Sequence, residues 1–410
     1  MASEPRPDAA SVRDLWGLDP AITFLNHGSF GATPIPVLDA QRDWRTLLEA
    51  EPVDFLGRAL EGRLDAVRTA LGRFLGADPD DLALITNATG GVGTVLRSLR
   101  LGPGDEILAT DHEYNAALNA ARYVAERDGA TLVVARIPFP LDDPAQVTQA
   151  VLAAVTPRTR LALISHVTSP TALVFPIPEI VAALRERGVE TLVDGAHAPG
   201  MIPLQLDDIG AAYYTGNCHK WMCGPKGSAF LHVRRDLQGG VRPLVISHGA
   251  NSRREDRSRF RLEFDWTGTA DPSPWLSLPT AIDLIGGLLP GGWPAHMAAN
   301  HALALAGRDL LAEALGVRAP APDVMLGSMA AVPLPDHADP LLPAGMTTMD
   351  AALFAHYRIE VPITAFPVDA TQEGGVADPA RYVRISAQRY NDISQYRLLA
   401  DALREMLRMV

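Results

Sequence analysis

Lysine is almost absent from this chain of 410 residues. Only two of its 36 lysine and arginine residues are lysine, and both, Lys220 and Lys226, lie in the stretch GNCHKWMCGPKG. The other 34 are arginine, so most arginine positions carry little functional information. A guanidinium stays protonated and is a poor nucleophile, whereas a lysine amine can form a Schiff base with an aldehyde. We therefore expect a chemical role for at least one of the two lysines.

Other absences exclude several classes of protein. Two cysteines, Cys218 and Cys223, cannot make a disulfide framework, which is typical of a reducing cytoplasm. No apolar run reaches transmembrane length, and the first ten residues lack the apolar core of a signal peptide. The net charge of −12 argues against nucleic acid or an anionic membrane as partner. The sequence thus predicts a cytoplasmic protein with neither of these partners.

Short apolar strands alternate with amphipathic helices from about residue 80 to 235. Strands that alternate with crossover helices indicate a mostly parallel, doubly wound α/β sheet. In such sheets ligands bind at the carboxyl ends of the strands, so the residues that follow each strand are the candidates for a site. The seven predicted strands are 82–86, 106–110, 131–137, 161–165, 191–195, 211–216 and 228–233.

We predict three parts along the chain. Residues 1–35 form an N-terminal segment that contributes to the smaller lobe and to the active site. Residues 36–275 form the large α/β domain, and residues 276–410 form a small C-terminal α+β domain. Within the latter, residues 316–348 are rich in proline and irregular, and a strand with a terminal helix is expected at the end of the chain.

Three groups that follow strands match three chemical demands. A turn with Ala88, Thr89 and Gly90 opens a helix, where free N–H groups and the helix dipole favour a phosphate. Asp194 ends a very apolar strand, where a carboxylate needs a partner such as a protonated ring nitrogen. Lys220 follows a third strand and could form an imine. An ordinary helix N-cap is the alternative for the turn and for Asp194. Together, however, the three match the demands of pyridoxal 5′-phosphate.

The sequence resembles the class V aminotransferase group of fold-type I pyridoxal-phosphate enzymes, and within it the isopenicillin N epimerase-like branch. This resemblance implies a mostly parallel seven-stranded sheet in a large domain, a smaller α+β domain, and a homodimer with shared active sites. The motifs that support it run in family order from about residue 24 to 391: FLNHGSFGATP, ITNATGGVGTVLRSL, DHEYNA, SHVTSPTALVFP, VDGAHAPG, YYTGNCHKWMCGPKGSAFL, FDWTGTADPSPWL and VRISAQRYN.

The resemblance also implies a role for individual residues. Lys220 would hold the cofactor as a Schiff base and later shuttle the Cα proton, and Asp194 would pair with the ring nitrogen. Arg384 would clamp the substrate carboxylate, which its planar guanidinium suits. No metal site is predicted. The other expected site residues are Ala88, Thr89, Gly90, Asn217, His219 and a neighbouring subunit's Thr269 at the phosphate, Tyr114 or His112 stacked on the ring, Ser169 and His197 near the ring oxygen, and Asn26 and His27 at the substrate.

The same cofactor supports several reactions. Cysteine desulfurases need a nucleophilic cysteine in the C-terminal lobe, and residues 224–410 contain none, which disfavours that reaction. We favour an epimerase or racemase that acts on an amino-acid-type substrate and needs a second acid beside Lys220, namely His27, Tyr114 or Tyr390. The first alternative is a C–S lyase resembling the hercynylcysteine sulfoxide lyases, and an aminotransferase has less support. A catalytically silent homologue that binds the cofactor is the alternative outside the enzymes.

Two features are left open by the sequence. The arginine-rich stretch at 251–261, NSRREDRSRFR, could recognise an acidic substrate tail, although a solvated loop is the more common role of such a run. Lys226 meets no chemical demand of the cofactor, and we expect it to order its loop.

Overall fold

A seven-stranded sheet forms the centre of the computed structural model, which describes residues 12–335, 348–367 and 379–407. Within this sheet, the strand that comes last in the sequence is antiparallel to both its neighbours, and the other strand pairs are parallel. The predicted α/β fold class and all seven strands are confirmed, with ends that shift by up to two residues. The strands are β1 (Leu82–Ile85), β2 (Glu106–Thr110), β3 (Thr131–Ala135), β4 (Thr159–Ser165), β5 (Glu190–Asp194), β6 (Tyr213–Asn217) and β7 (Ala229–Val233), in the spatial order β1-β7-β6-β5-β4-β2-β3.

Helices connect most of these strands and follow them along the chain. The longer helices are α1 (Ile35–Ala50), α2 (Leu60–Leu75), α3 (Ala88–Ser98), α4 (Asn115–Asp128), α5 (Ala145–Ala153), α6 (Ile177–Arg185), α7 (Leu278–Gly287), α8 (Gly292–Leu315), α9 (Met349–Tyr357) and α10 (Ile393–Met406). Shorter helical turns are His27–Phe30, Pro52–Asp54, Phe55–Ala59, Pro79–Asp81, Leu206–Ile209, Arg235–Gly240, His248–Asn251, Arg259–Phe264, Ser273–Leu276 and Asp323–Met325.

The central sheet is buried on both faces, which explains why its strands are almost continuously apolar. Side chains alternate along a strand, so neighbouring residues of β4 enter opposite cores. Ala162 and Ile164 join the core that contains helix α6, whereas Leu161 and Leu163 join the core that contains helices α3 and α4. Two layers of helices therefore hold the sheet rigid, and its carboxyl edge can position polar side chains.

A second, antiparallel sheet lies in the C-terminal part of the chain. Its strands are β8 (Met329–Pro333), β9 (Ile363–Phe366) and β10 (Ala380–Ser386), with β10 in the middle. Helix α10 follows β10 and begins with a capping box in which Asp392 and Gln395 satisfy backbone N–H groups. The expected strand and terminal helix are thus confirmed. The domain limits at residues 35 and 275 stay predictions.

The N-terminal segment is hydrogen-bonded to the C-terminal part of the chain. Residues Thr23–Phe24 pair in parallel with Ile359–Glu360, and the Ser386 amide at the end of β10 donates to the Leu25 carbonyl oxygen. In the described part of the chain, no helix has both the length and the apolar character needed to cross a membrane.

Candidate active site

A cavity of about 440 Å³ lies at the carboxyl ends of β4, β5 and β6. The register of the sheet places Ser165 beside Asp194 and Asp194 beside Thr215, and Lys220 follows three residues after the end of β6. The structure therefore brings together residues that lie far apart in the sequence. The predicted site residues that line the cavity are Ala88, Thr89, Tyr114, Ser169, Asp194, His197, Asn217, His219, Lys220 and Arg384.

Lys220 is a buried amine with an altered basicity. Its Nζ lies 3.2 Å from His197 Nε2. Burial, together with the positive charge of Arg384, lowers the pKa of Lys220 to about 7, and Asp194 opposes this shift. Burial also holds the pKa of His197 well below its usual value, so the imidazole is neutral. Lys220 is thus available as an uncharged nucleophile or base near neutral pH.

Asp194 lies at the end of β5 and is buried at 4% exposure. One carboxylate oxygen, Oδ1, accepts a hydrogen bond from the Ala196 amide at 3.0 Å. Burial raises the pKa of Asp194, and the Lys220 charge counteracts this. A buried carboxylate of this kind is stabilised by a cationic N–H partner, and a pyridinium nitrogen supplies one.

The N-terminus of helix α3 faces the same cavity. The Ala88 amide donates to Asn217 Oδ1 at 2.8 Å and the Gly90 amide donates to Asn87 Oδ1 at 2.7 Å, so both are engaged within the protein. Gly90 does not line the cavity. The Thr89 amide and hydroxyl, together with the Asn217 NH₂ group, are the donors that an anion could use at this helix end.

His219 completes this end of the cavity. Its Nδ1 lies 3.1 Å from the Ser228 carbonyl oxygen, which can only accept, so Nδ1 carries a proton. Burial lowers the pKa of His219 to about 4. The other ring nitrogen, Nε2, therefore donates to an anion only when the ring takes up a second proton.

Arg384, on β10, is held by two serines. Its Nη1 donates to the Ser169 carbonyl oxygen at 2.6 Å and to Ser169 Oγ at 3.1 Å, and its Nη2 donates to Ser29 Oγ at 3.1 Å. Ser29 Oγ in turn donates to Asn26 Oδ1 at 2.5 Å. Arg384 is buried at 4% exposure, and its Nε has no hydrogen-bond partner among the residues that the structure describes. This rigid guanidinium suits recognition of a carboxylate.

Besides Gly90, three further predicted residues do not line the cavity, namely Asn26, His27 and Thr269. Asn26 acts through Ser29, as described above. His27 is fully buried behind Lys220, where its Nε2 donates to the Lys220 carbonyl oxygen at 3.0 Å and its Nδ1 accepts from the Tyr390 hydroxyl at 2.8 Å. Thr269 is exposed and does not line the cavity of its own chain, and its role at a neighbouring subunit's phosphate stays a prediction.

The two residues proposed to stack on the ring have different positions. Tyr114 lines the cavity and is 48% exposed. His112 is fully buried, its Nδ1 lies 2.7 Å from Thr171 Oγ1, and its ring packs 4.2 Å from that of Phe366. Only Tyr114 of this pair is in a position to contact a molecule in the cavity.

Both cysteines are buried in the core and lie outside the cavity wall. Burial raises the pKa of the Cys218 thiol and raises that of Cys223 to about 12. Because a thiolate is the reactive form, neither is a nucleophile near neutral pH.

The arginine-rich stretch at 251–261 binds to helix α2 instead of facing the cavity. Arg254 pairs with Glu61 at 2.6 Å and Arg257 pairs with Asp65 at 2.6 Å. Arg261 pairs with Asp80 at 2.6 Å and also contacts Asp65. These ion pairs give Arg254, Arg257 and Arg261 a structural role, and recognition of a substrate tail by these three is not supported, because none of them lines the cavity.

Sequence reasoning missed three hydroxyl groups on the cavity wall, those of Ser29, Thr86 and Ser165. Ser165 ends β4, so the rule that polar residues after parallel strands form the site would have found it. Ser29 gave no comparable signal, because its role depends on the contact with Arg384 across 355 residues of sequence.

The cavity fits pyridoxal phosphate on three independent features. Thr89 and Asn217 offer donors at a helix N-terminus, Asp194 has a buried carboxylate oxygen for a ring N–H, and Lys220 has an amine of lowered pKa. The unpaired, buried Nδ1 of His197 is a further polar atom without a protein partner.

Comparison with known proteins agrees with this arrangement. The family model Aminotransferase class-V matches residues 31–340. Isopenicillin N epimerase of Amycolatopsis lactamdurans is 38% identical, with 97% of this chain and 98% of that protein covered. A putative L-cysteine desulfhydrase of Oryza sativa subsp. japonica is 33% identical, with 99% of this chain and 88% of that protein covered.

A solved structure shares the fold. The cysteine desulfurase CsdA of Escherichia coli superposes with a TM-score of 0.77 at 21% identity, covering 98% of this chain and 99% of that one. This likeness confirms the predicted fold class over nearly the whole chain.

Proposed function

Because the chain belongs to the class V aminotransferase family, we propose that it is a pyridoxal-phosphate enzyme that inverts the configuration at Cα of an amino-acid-type substrate. The observation that supports this most directly is the Lys220 amine, with a pKa of about 7, in a cavity that also holds Asp194 and Arg384. The 38% identity to an isopenicillin N epimerase supports the reaction class.

Each group has a defined task in this proposal. When bound, pyridoxal 5′-phosphate withdraws electrons from Cα of an attached amino acid and makes its Cα–H bond acidic. Asp194 accepts the ring N–H, and Lys220 links the resting cofactor and then takes the Cα proton at Nζ. Arg384 binds the substrate carboxylate and so orients Cα towards Lys220.

Inversion needs a second group that returns a proton to the other face of Cα. Of the three candidates from the sequence, His27 and Tyr390 bond to each other behind Lys220 and do not line the cavity. Tyr114 does line it. We therefore assign the second proton transfer to the Tyr114 hydroxyl, which can both donate and accept a proton.

Phosphate binding at this end of the site is expected to depend on the protonation state of His219. Thr89 and Asn217 donate to the phosphate, while His219 donates through Nε2 only as an imidazolium. A phosphate dianion beside His219 would raise the pKa of the ring, because the added negative charge favours the charged form.

Further parts of the proposal concern assembly and location. We propose a homodimer in which Thr269 of one subunit reaches the phosphate of the other, supported by its exposure outside its own cavity. Two buried cysteine thiols are compatible with a cytoplasmic location.

A C–S lyase is the second candidate, because a relative named as a putative L-cysteine desulfhydrase is 33% identical over 99% of the chain. In that case Lys220 removes the same Cα proton, and the substrate then expels a sulfur group from its β-carbon. Tyr114 would protonate the leaving group instead of Cα.

A screen in deuterated water tests these candidates. The enzyme is incubated with amino acids, including sulfur-containing ones, and Cα exchange, D/L scrambling and pyruvate are measured. Scrambling without pyruvate supports the epimerase, and pyruvate with a sulfur product supports the lyase. Cofactor binding without exchange of any amino acid identifies a silent homologue. Lys220→Ala is the control, and turnover that persists in this variant contradicts the whole proposal.

A further inference from the structure

Glu113 is a fully buried carboxyl group that the proposed function does not use. It lies between β2 and α4, one residue before Tyr114, and it does not line the cavity. Its Oε1 accepts hydrogen bonds from Thr110 Oγ1 and from the Ser165 amide, both at 2.9 Å. Its Oε2 lies 2.5 Å from Ser165 Oγ. Ser165, by contrast, faces the cavity.

Glu113 takes part in no ion pair among the residues that the structure describes. The charged group that acts on its pKa is Asp194, at the end of β5, which is also negative. His166 and Tyr214 are two further buried titratable residues, and they are hydrogen-bonded to each other at 2.8 Å. Both are neutral, because burial lowers the pKa of His166 to about 3 and raises that of Tyr214.

Burial therefore favours the protonated form of Glu113. Desolvation raises its pKa to about 8, against the opposing effect of the bonds from Ser165 and Thr110, and repulsion by Asp194 adds to the rise. The positive charge of Lys220 partly offsets the negative charge of Asp194. At neutral pH the Glu113 side chain is therefore a carboxylic acid, with a proton on one of its two oxygens.

The hydrogen-bond geometry places that proton. Oε1 already accepts two donors, so the O–H is on Oε2 and donates to Ser165 Oγ. The Ser165 hydroxyl then has its own hydrogen free for an acceptor in the cavity, which Ser165 lines beside Asp194. If Glu113 ionises, Ser165 must donate to Oε2 instead, and it presents only a lone pair to the cavity.

We propose that Glu113 is a positioning residue which, as a neutral acid, holds the Ser165 hydroxyl as a hydrogen-bond donor to the molecule bound next to Asp194. The inference rests on the proposed function for the identity of that molecule. The donor state of Ser165 depends only on contacts within the chain, and it can be measured separately.

Infrared difference spectroscopy of the holoenzyme measures the proton on Glu113 directly. The spectrum of the wild type minus Glu113→Gln at pH 6 should show one C=O stretching band of a protonated carboxylic acid, and this band should vanish above pH 9. Glu106→Gln is the matched control, because Glu106 on β2 is only 3% exposed, but hydrogen bonds from Thr156 and Arg158 lower the pKa of its carboxyl group. A difference spectrum without the band at pH 6 overturns the inference, whatever the enzyme catalyses.

The pH profile of Cα exchange measures the consequence for the site. In the wild type, kcat/KM should fall about tenfold above pH 8, the effect of losing one oriented hydrogen bond. Glu113→Gln keeps a neutral donor towards Ser165. Its kcat/KM should therefore stay within about twofold of the wild-type value at pH 7 and should not decrease above pH 8. Glu106→Gln should retain it.

Two further variants separate positioning from folding. Glu113→Ala and Ser165→Ala should each lower kcat/KM about tenfold at pH 7 and leave no further decrease above pH 8. If Glu113→Gln or Ser165→Ala shows the same decrease above pH 8 as the wild type, another group titrates and the inference is wrong. If the infrared band is present but no amino acid exchanges its Cα proton, the proposed function fails and the state of Glu113 stands.

Discussion

Lys226 Nζ donates to the carbonyl oxygen of Gly31 at 2.9 Å, and this bond ties the N-terminal segment to the loop that carries Lys220. Gly31 has a φ of +69°, and a Cβ there would overlap with the backbone of His219 and Lys220. His27 adds a bond from its Nε2 to the Lys220 carbonyl oxygen. The N-terminal segment therefore packs directly against the backbone of the reactive lysine, and Lys226 has the loop-ordering contact that the sequence led us to expect.

Lys226→Met should lower the free energy of unfolding by about 1 kcal/mol, the loss of a charged donor at a partly exposed site. Lys226→Arg keeps a cationic donor and is the matched control. Gly31→Ala should lower the free energy of unfolding more than either lysine variant, because alanine at this positive φ is strained and its Cβ would overlap with backbone atoms. Denaturation curves for the three variants check this, and equal stability of Lys226→Met and the wild type would contradict the structural role.

Lys220 should make the stability of the cofactor-free protein depend on pH. Its pKa falls from 10.5 in the unfolded chain to about 7 in the folded one, so between these values the unfolded state binds more protons. The folded state is therefore penalised below pH 7 and regains stability as the pH rises from 7 to 10.5.

Lys220→Met removes this titration. The variant should be more stable than the wild type at pH 6, and the difference should shrink as the pH approaches 10. Unfolding midpoints measured from pH 6 to 10 test the prediction. A difference that does not vary with pH would show that Lys220 is not desolvated.

Arg384→Lys should raise KM for the substrate by about tenfold to a hundredfold, because an ammonium cannot reproduce a bidentate contact with a carboxylate. It should change kcat less, since Lys220 is not altered. Arg397→Lys, at an exposed position of α10, is the control. An unchanged KM in Arg384→Lys would show that the substrate carboxylate does not bind at Arg384.

Tyr114→Phe distinguishes exchange from inversion. If Lys220 works on one face of Cα and Tyr114 on the other, this variant should still exchange the Cα proton of one enantiomer but lose D/L scrambling by at least about a hundredfold. Tyr390→Phe, which removes a hydroxyl that donates to His27 behind the site, should keep scrambling. Scrambling at the wild-type rate in Tyr114→Phe would assign the second proton transfer to another group.

Arg257→Leu should lower the free energy of unfolding by about 1 kcal/mol, because it leaves Asp65 and Glu61 of helix α2 with fewer partners. The loss should shrink at high salt, which screens the remaining charges. KM should not change, because Arg257 is remote from the cavity wall. A raised KM for acidic substrates would restore the recognition role that the sequence left open.

The sequence predicted the parts of the molecule that depend on local pattern and on irreplaceable chemistry. Alternating apolar strands and helices predicted the central sheet, because strands buried on both faces must be apolar throughout. The scarcity of lysine singled out Lys220, since arginine cannot form an imine. Asp194 followed from the cost of an unpaired carboxylate at the end of an apolar strand.

Tertiary structure alone decided which residues meet at the cavity and in which protonation state. His27 and His112 are as prominent in the sequence as Tyr114, yet packing places both away from the cavity wall. Ser29 becomes part of the site only through its contact with Arg384. The pKa of Lys220 and the proton on Glu113 depend on burial and on neighbouring charges, and both arise only when distant segments pack together.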